Sequence, residues 1–378
     1  MHPSDIDEKR RADGASGPRR IALATGGTAG HVTPALAVAA AYQAARPDVS
    51  VVFFGRVSGF EQHLLDAQMH RFEILPGAPF YGVSAWGRRR TLSQLVSGIR
   101  CARRALARDG VHMVIGFGGY ASAAAVLGAR SLGLATAVHE ANAVPGLTNR
   151  LLGRVVDRVL IGWDSAAPYF RTGQSFSTGT PIRSELAALA ATARRAPEAA
   201  PARLFVCGGS QGSAFLNRHA PDLAGLLRRD GWEVEVRHLS GHERPQDVHA
   251  RYAAQGVRAD VQAYADDMAT FYGWADLAIA CAGAATLAEL SAAGLPALLV
   301  PLAAASDDHQ AANAAAYAAV TGVPWVREAA WDTAVVGRQV AALLRDRAAW
   351  TGLSERTRRF ARPAAAAAVV AECEALLG

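Results

Sequence analysis

Residues 275–313 read ADLAIACAGAATLAELSAAGLPALLVPLAAASDDHQAAN, and the reading of this run decides the fold. The apolar run 276–281 has the length and character of a buried parallel strand, Gly283 opens a helical segment, and a second apolar run, 295–301, is stopped by Pro301. A strand, a helix and another strand within one βαβ length imply a parallel sheet. The turn at 282–284 sets Gly283 and Ala284 at a helix N-terminus, where free N–H groups and the helix dipole favour a diphosphate. Further along, Glu289 shares a helix face with Thr286, so its carboxylate can accept hydrogen bonds from two neighbouring sugar hydroxyls. Beyond the second strand, Ser306, Asp307, Asp308, His309 and Gln310 bring polar groups to a strand's carboxyl end, the side on which open α/β sheets bind ligands. The run reads as a nucleotide-sugar pocket.

The rest of the chain is long enough to supply a second core. Its 378 residues are 51% hydrophobic and 19% charged, an alanine-rich globular composition, and the length favours two domains. A net charge of +6 suits an acidic partner, whether nucleic acid, an anionic membrane surface or a phosphorylated substrate. Cys101, Cys207, Cys281 and Cys373 are scattered without a CxxC pair, which reads as reduced thiols in a cytoplasmic protein with no structural zinc. Residues 1–18 are polar and charged, and read as a disordered tail without the apolar core of a signal peptide. Asp5-Ile6-Asp7 has a DxD pattern but no strand before it. No charge-free apolar window approaches the length of a membrane span.

From Arg20 the strand and helix periods alternate. Strands are predicted at 20–25, 49–54, 72–75, 112–116, 135–138, 158–161 and 175–177, with helices from about 33 and over 60–68, 92–107, 121–131 and 145–152. An alanine- and proline-rich stretch at 187–202 reads as a linker. Strand 203–207, a glycine turn and a helix then restart the pattern, with further strands at 233–239, 257–263, 276–281, 295–300 and 323–326. The fold class is therefore α/β, with two similar doubly wound parallel-sheet domains whose glycine loops face a common cleft. The predicted organisation is a tail (1–18), a first domain (19–186), the linker (187–202), a second domain (203–350) and a C-terminal helical stretch (351–378) that kinks at Pro363.

Several strand ends carry candidate chemistry. Gly26-Gly27-Thr28-Ala29-Gly30-His31 lacks both GxGxxG spacing and a terminal GK[ST], which argues against dinucleotide and ATP sites. Two glycines before a helix suit tight packing as well as anion binding. An imidazole at that strand end can be a general base, because its pKa sits near working pH, or a structural group. Gly118-Gly119-Tyr120 and His139-Glu140-Ala141-Asn142 end two further strands, and Gly209-Ser210-Gln211-Gly212 opens the second half. Asp266-Asp267-Met268, just after Ala265, reads as a helix N-cap and a ligand loop alike. Arg183 suits a phosphate or a surface ion pair. Trp86, Arg88-Arg89-Arg90 and the helix carrying Leu95, Val96, Ile99, Arg100, Arg103 and Arg104, close to Phe80 and Tyr81, suit an anionic headgroup layer or a solvated face.

The motifs GAATLAEL (283–290), GLPALLVPL (294–302) and DDHQAANA (307–314) resemble the donor region of the MurG family of bacterial glycosyltransferases. The family's first signature, GGTxGHxxPxLAvA, is matched by 26–39. The resemblance runs in ordered motifs from Arg20 to the end and implies the GT-B fold, with the C-terminal helix crossing back to the first domain. It implies inverting transfer of N-acetylglucosamine from UDP-N-acetylglucosamine to the C4 hydroxyl of lipid I, giving lipid II. His31 is the implied general base, with Glu140 and Asn142 beside it in the catalytic set. The implied donor site draws Thr28, Gly30, Asn142 and Arg183 from the first half. From the second half come Gly209, Ser210 and Gln211 at the diphosphate, Ala265 near the uracil, Gly283, Ala284, Thr286 and Glu289 along the helix, and His309 and Gln310 at the sugar. Gly27, Gly30, Gly118, Gly119, Tyr120 and His139 are implied for the acceptor.

No cofactor or metal is implied, a divalent ion being at most a stimulant, and helix dipoles and N–H groups take the place of a DxD-bound metal. Implied partners are the nucleotide sugar, a polyprenyl-pyrophosphate acceptor, an anionic membrane surface and a cell-wall synthesis complex, with no nucleic acid. The implied location is peripheral, at the cytoplasmic face of the plasma (inner) membrane. Ala141 stands where the family has glutamine, Thr180 where it has asparagine and Cys281 where it has arginine. Another lipid-linked acceptor, or a non-catalytic UDP-binding scaffold, stays open at this point.

Overall fold

The computed structural model describes residues 19–26, 29–55, 71–75, 85–197, 200–303 and 308–378. Gly27, Thr28, Phe80, Tyr81, Ser306, Asp307 and the helix predicted at 60–68 lie outside the described residues.

Two fully parallel sheets form the scaffold. In the first, β1 (Arg20–Thr25), β2 (Ser50–Gly55), β3 (Phe72–Ile74), β4 (Met113–Gly116), β5 (Ala135–Glu140), β6 (Arg158–Ile161) and β7 (Ser175–Ser177) lie in the order β3-β2-β1-β4-β5-β6-β7. In the second, β8 (Ala202–Cys207), β9 (Val234–Leu239), β10 (Arg258–Gln262), β11 (Leu277–Ala280) and β12 (Ala297–Leu299) lie in the order β10-β9-β8-β11-β12. The apolar runs are unbroken because both faces of each sheet are covered by helices. Ala22 and Ala24 of β1 enter one core while Ile21 and Leu23 enter the core on the opposite face. Leu277 and Ile279 of β11 separate from Ala278 and Ala280 in the same way. The strand predicted at 323–326 is reduced to a single bridge between Trp325 and Leu299.

Helix boundaries shift in informative ways. The helix predicted over 92–107 runs from Ala85 to Arg108, so Trp86 and Arg88-Arg89-Arg90 belong to it. Leu95 and Ile99 pack on the first domain's core, leaving Val96, Arg100, Arg103 and Arg104 exposed. The C-terminal stretch is two helices, Arg347–Arg359 and Ala365–Leu377, with Pro363 in the break. Arg347–Arg359 stays on the second domain, where the Trp350 indole donates to the Asp276 carbonyl at 2.9 Å and the Ser354 hydroxyl to Gly294 at 2.6 Å. Only Ala365–Leu377 crosses back. Its Val369, Val370 and Cys373 join Ile21, Leu23 and Tyr42 in the first core, and Arg158 pairs with Glu372 and Arg46 with Glu374. Ile182 and Leu186 lie with Phe205 in a cluster that also takes in Ala143 and Trp163 from the first half.

Candidate active site between the domains

The strand order reverses between β1 and β4 and again between β8 and β11, and ligands of doubly wound sheets bind at such points. The glycine-bearing segments after these four strands frame the candidate site. In the first domain they pack backbone against backbone. A Cβ on Gly119 would lie 2.5 Å from the Gly26 Cα, and Gly118 and Gly119 take φ of 101° and 83°. Only glycine fits there. The His31 ring lies against the same bare backbone, its Nε2 within 2.9 Å of a Cβ built on Gly118 and its Nδ1 within 3.0 Å of one on Gly26. Burial, followed by the charge of His309, lowers the His31 pKa to about 4. His309 comes from the second domain, at the start of helix His309–Thr321, and its ring also abuts Gly146 of the first. Residues predicted from opposite halves thus come within reach of each other's charge.

The second domain's loops converge on a thiol. Gly209 has φ 80°, and a Cβ on it would come within 3.1 Å of the Cys281 Sγ, which itself lies 3.8 Å from the Thr286 hydroxyl. Burial raises the Cys281 thiol pKa, so it is a neutral filler beneath Gly209 and Gly283. Ser213 caps helix Ala214–Arg229 through Leu216 N–H at 3.1 Å, and Gly283 caps helix Ala284–Ala293 without a side chain. Ser210 is half-buried and Gln211 exposed above that first helix end.

Glu289 is buried, and the Tyr272 hydroxyl donates to its Oε2 at 2.8 Å. Burial raises the carboxyl pKa, with the Tyr272 hydrogen bond and the Arg183 charge opposing. Arg183, at the N-cap position of the short helix Ser184–Ala187, donates to the Asp266 carbonyl at 3.0 Å, next to half-buried Ala265. Asp267 caps helix Met268–Trp274 through Thr270 N–H at 3.0 Å. Gln310 spends its amide oxygen on Ala282 N–H and Leu302 N–H, at 3.1 and 3.0 Å, which leaves its NH2 as the group for a ligand. Asp308 forms a two-pronged ion pair with Arg327.

Two implied residues are held by internal hydrogen bonds. His139 is 1% exposed, its Nε2 hydrogen-bonded to the Gly179 carbonyl at 3.0 Å, and burial lowers its pKa to about 4. In this structure its ring is turned inward, toward that carbonyl. Glu140 accepts from Asn142 N–H and Nδ2 on one oxygen and from Gly146 N–H and Asn149 Nδ2 on the other, so its carboxylate folds its own loop. Tyr120 opens helix Tyr120–Ser131 beside Gly119, and Gly30 is exposed in the helix that carries His31.

Asn313 was not singled out by the sequence, although it lies one turn beyond Gln310. It accepts from Ala143 N–H at 2.9 Å and donates to the Asn142 Oδ1 at 3.0 Å and the Ala282 carbonyl at 3.1 Å. A continuous polar chain therefore runs from Glu140 through Asn142 and Asn313 to Ala282 and Gln310, tying the first domain's loop to the second domain's.

Residues 21–161 match the model of the glycosyltransferase family 28 N-terminal domain, and residues 203–368 match that of its C-terminal domain. The chain is 38% identical over 358 residues to the UDP-N-acetylglucosamine--N-acetylmuramyl-(pentapeptide) pyrophosphoryl-undecaprenol N-acetylglucosamine transferase of Acidithiobacillus ferrooxidans, covering 93% of this chain and 96% of that one. It is 33% identical over 356 residues to the transferase of the same name from Geobacter sulfurreducens, covering 93% and 97%. The crystal structure of MurG from Acinetobacter baumannii superposes with a TM-score of 0.74 at 28% identity, over 95% of this chain and all of that one. A UDP-GlcNAc 2-epimerase from Neisseria meningitidis, 9% identical with a TM-score of 0.63 over 94% of this chain and 99% of that one, shares the fold alone.

Proposed function

The chain belongs to glycosyltransferase family 28 and, within it, to the MurG transferases, and from this we propose that it transfers N-acetylglucosamine from UDP-N-acetylglucosamine to the C4 hydroxyl of lipid I, yielding lipid II and UDP. The observation that carries the reading is that His31, on the first domain, lies within reach of the charge of His309, which sits beside Gln310 on the second. In this reading the C4 oxygen attacks C1 of the donor sugar from the face opposite the diphosphate. The bond from C1 to the diphosphate oxygen breaks with inversion, and the C4 proton passes to His31. Burial keeps that imidazole neutral, which a proton acceptor requires.

The Gln310 NH2 donates to the donor sugar, and the free Glu289 oxygen accepts from the ribose. N–H groups at Ser210 and Gln211 and at Ala284 take up the charge growing on UDP, aided by the two helix dipoles. Asn142 is bound at both ends of its amide, to Glu140 and to Asn313, and holds the loop across the cleft. Closure of the two domains over the donor completes the site. The exposed Val96, Arg100, Arg103 and Arg104, with Ile74 71% exposed nearby in the first domain, suit peripheral attachment to an anionic bilayer at its cytoplasmic face, where the lipid acceptor lies. No helix among the described residues is long and apolar enough to cross a membrane.

Incubation with labelled UDP-N-acetylglucosamine and a lipid I analogue tests the proposal. Labelled lipid II is the expected product. Label on other polyprenyl lipids with none on lipid I would replace the acceptor, and donor binding without transfer would leave a scaffold.

A further inference from the structure

Tyr272 is absent from every motif discussed for the sequence, yet it makes the one hydrogen bond to Glu289 among the described residues. Its ring is fully buried and meets Phe205 of β8 edge-on, with centroids 5.3 Å apart and an interplanar angle of 82°. The hydroxyl is therefore anchored by the core of the second sheet. It reaches a carboxylate on a different element, helix Ala284–Ala293. A carboxylate held by one oxygen from a rigid donor has a set orientation about its terminal bond, so the direction of the second oxygen is set as well.

The contrast with Glu140 is informative. That carboxylate is also buried, and both of its oxygens are saturated by its own loop, as a purely structural carboxylate requires. Glu289 has one oxygen satisfied. Its Oε1 has no hydrogen-bond partner among the described residues and is not sealed from solvent, the residue keeping 8% of its surface. A carboxylate oxygen that is oriented, unfilled and reachable from outside is a reader of hydroxyl donors.

We infer that Tyr272 is a positioning residue that clamps Oε2 of Glu289 so that Oε1 faces the nucleotide's ribose, and that this pair makes the protein select ribonucleotide over deoxyribonucleotide donors. The inference rests on the reading that Glu289 meets the ribose. Tyr272 touches no substrate itself, and its effect is confined to the hydroxyl contacts. A pocket that merely loses rigidity weakens both kinds of nucleotide alike.

The test uses the full chain and calorimetric titration with UDP, 2′-deoxy-UDP and 3′-deoxy-UDP, which needs no acceptor. The wild type is expected to bind UDP about tenfold more tightly than at least one deoxy form, the scale of a lost hydrogen bond to a charged group. Tyr272→Phe should weaken UDP by a similar factor and leave that deoxy form within about twofold, so that the preference collapses. Glu289→Gln should lose the preference to the same extent, and the double variant should lose no more than either single one, because the two act as a unit. Equal weakening of UDP and the deoxy nucleotides in Tyr272→Phe, or additive losses in the double variant, would overturn the positioning role. A wild type indifferent to both ribose hydroxyls would overturn the ribose assignment itself, which separates that failure from the failure of Tyr272.

Discussion

Replacing Asn313 by alanine is the sharpest perturbation of the polar chain between the two domains. The exchange removes a donor shared by Asn142 Oδ1 and the Ala282 carbonyl and the acceptor of Ala143 N–H. Asn313 is 0% exposed, and Ala143 and Ala282 are 3% and 0% exposed, so two backbone groups are stranded away from solvent. Each costs about 1–2 kcal/mol when unsatisfied, giving about 2–4 kcal/mol in all. Two of the three lost bonds cross between the domains, and the melting temperature should drop by roughly 4–16 °C, at about 2–4 °C per kcal/mol for domains of this size. Asn142 loses its partner as well, so kcat should fall at least about tenfold, with donor affinity less affected because Gln310 still holds Ala282 N–H. Calorimetric melting and steady-state transfer assays measure both quantities. Val335→Ala, at a site 42% exposed on the second domain, serves as the control and should melt like the wild type. An Asn313→Ala protein that melts within 1–2 °C of the wild type, on the order of the smallest stability change resolved in such scans, would show that water replaces the amide and that the chain of bonds carries no interdomain coupling.

Other expectations follow from the same geometry. His31→Gln should lower kcat by about 10²–10⁴ while the donor KM stays within about threefold, since general-base catalysis is of that size; a near-wild-type kcat would remove His31 from the chemistry. His31 and His139 have pKa values lowered to about 4 and His238 to about 3, each chiefly by burial, against 6.5 in the unfolded chain. The unfolded state therefore binds more protons below 6.5, and stability should be complete above that pH and decline as it falls toward about 4. Urea midpoints at pH 7.5, 6 and 5, chosen as roughly spanning that window, check this, and a midpoint that rises on acidification contradicts it. Gly209→Ala combines a φ of 80° with a 3.1 Å approach to the Cys281 Sγ, and should raise the donor KM at least about tenfold with a smaller change in kcat. Val369→Ala, near the C-terminus but fully buried in the first domain's core, should cost about 1–3 kcal/mol in urea unfolding; a silent variant would mean that Ala365–Leu377 is not part of that core.

What was legible in the sequence is what repeats or breaks a repeat. The unbroken apolar runs of β1 and β11 announce strands covered on both faces, because a half-exposed strand would alternate. Glycines at strand ends announce close backbone approaches, and Gly26 against Gly119 is such an approach. Pro363 announces the break before the crossing helix, since it cannot continue the one that precedes it. The site residues that escaped notice obey no period. Tyr272 reads as one more apolar position in a short helix, and only its contact with Glu289 on another element distinguishes it from core. Asn313 is separated from Asn142 and Ala143 by most of the second domain, and no local pattern marks a side chain whose partners lie on another sheet.

The same limit explains the histidine that moved. His139 and His31 both stand near strand ends beside glycine-rich turns, and motif spacing treats them alike. His139 lies within β5, with its ring aimed at the Gly179 carbonyl, whereas His31 lies past the end of β1, in helix Ala29–Ala45, with its ring laid over Gly118 and within reach of the charge of His309. A displacement of about one turn from the sheet's edge separates a packed imidazole from one that can take a proton. That displacement is a property of where a strand stops, and a strand stops where its neighbours cease to pair with it. β5 pairs with β6 as far as Glu140, which keeps His139 inside the strand, while β1 ends its pairing with β2 at Thr25, well before His31.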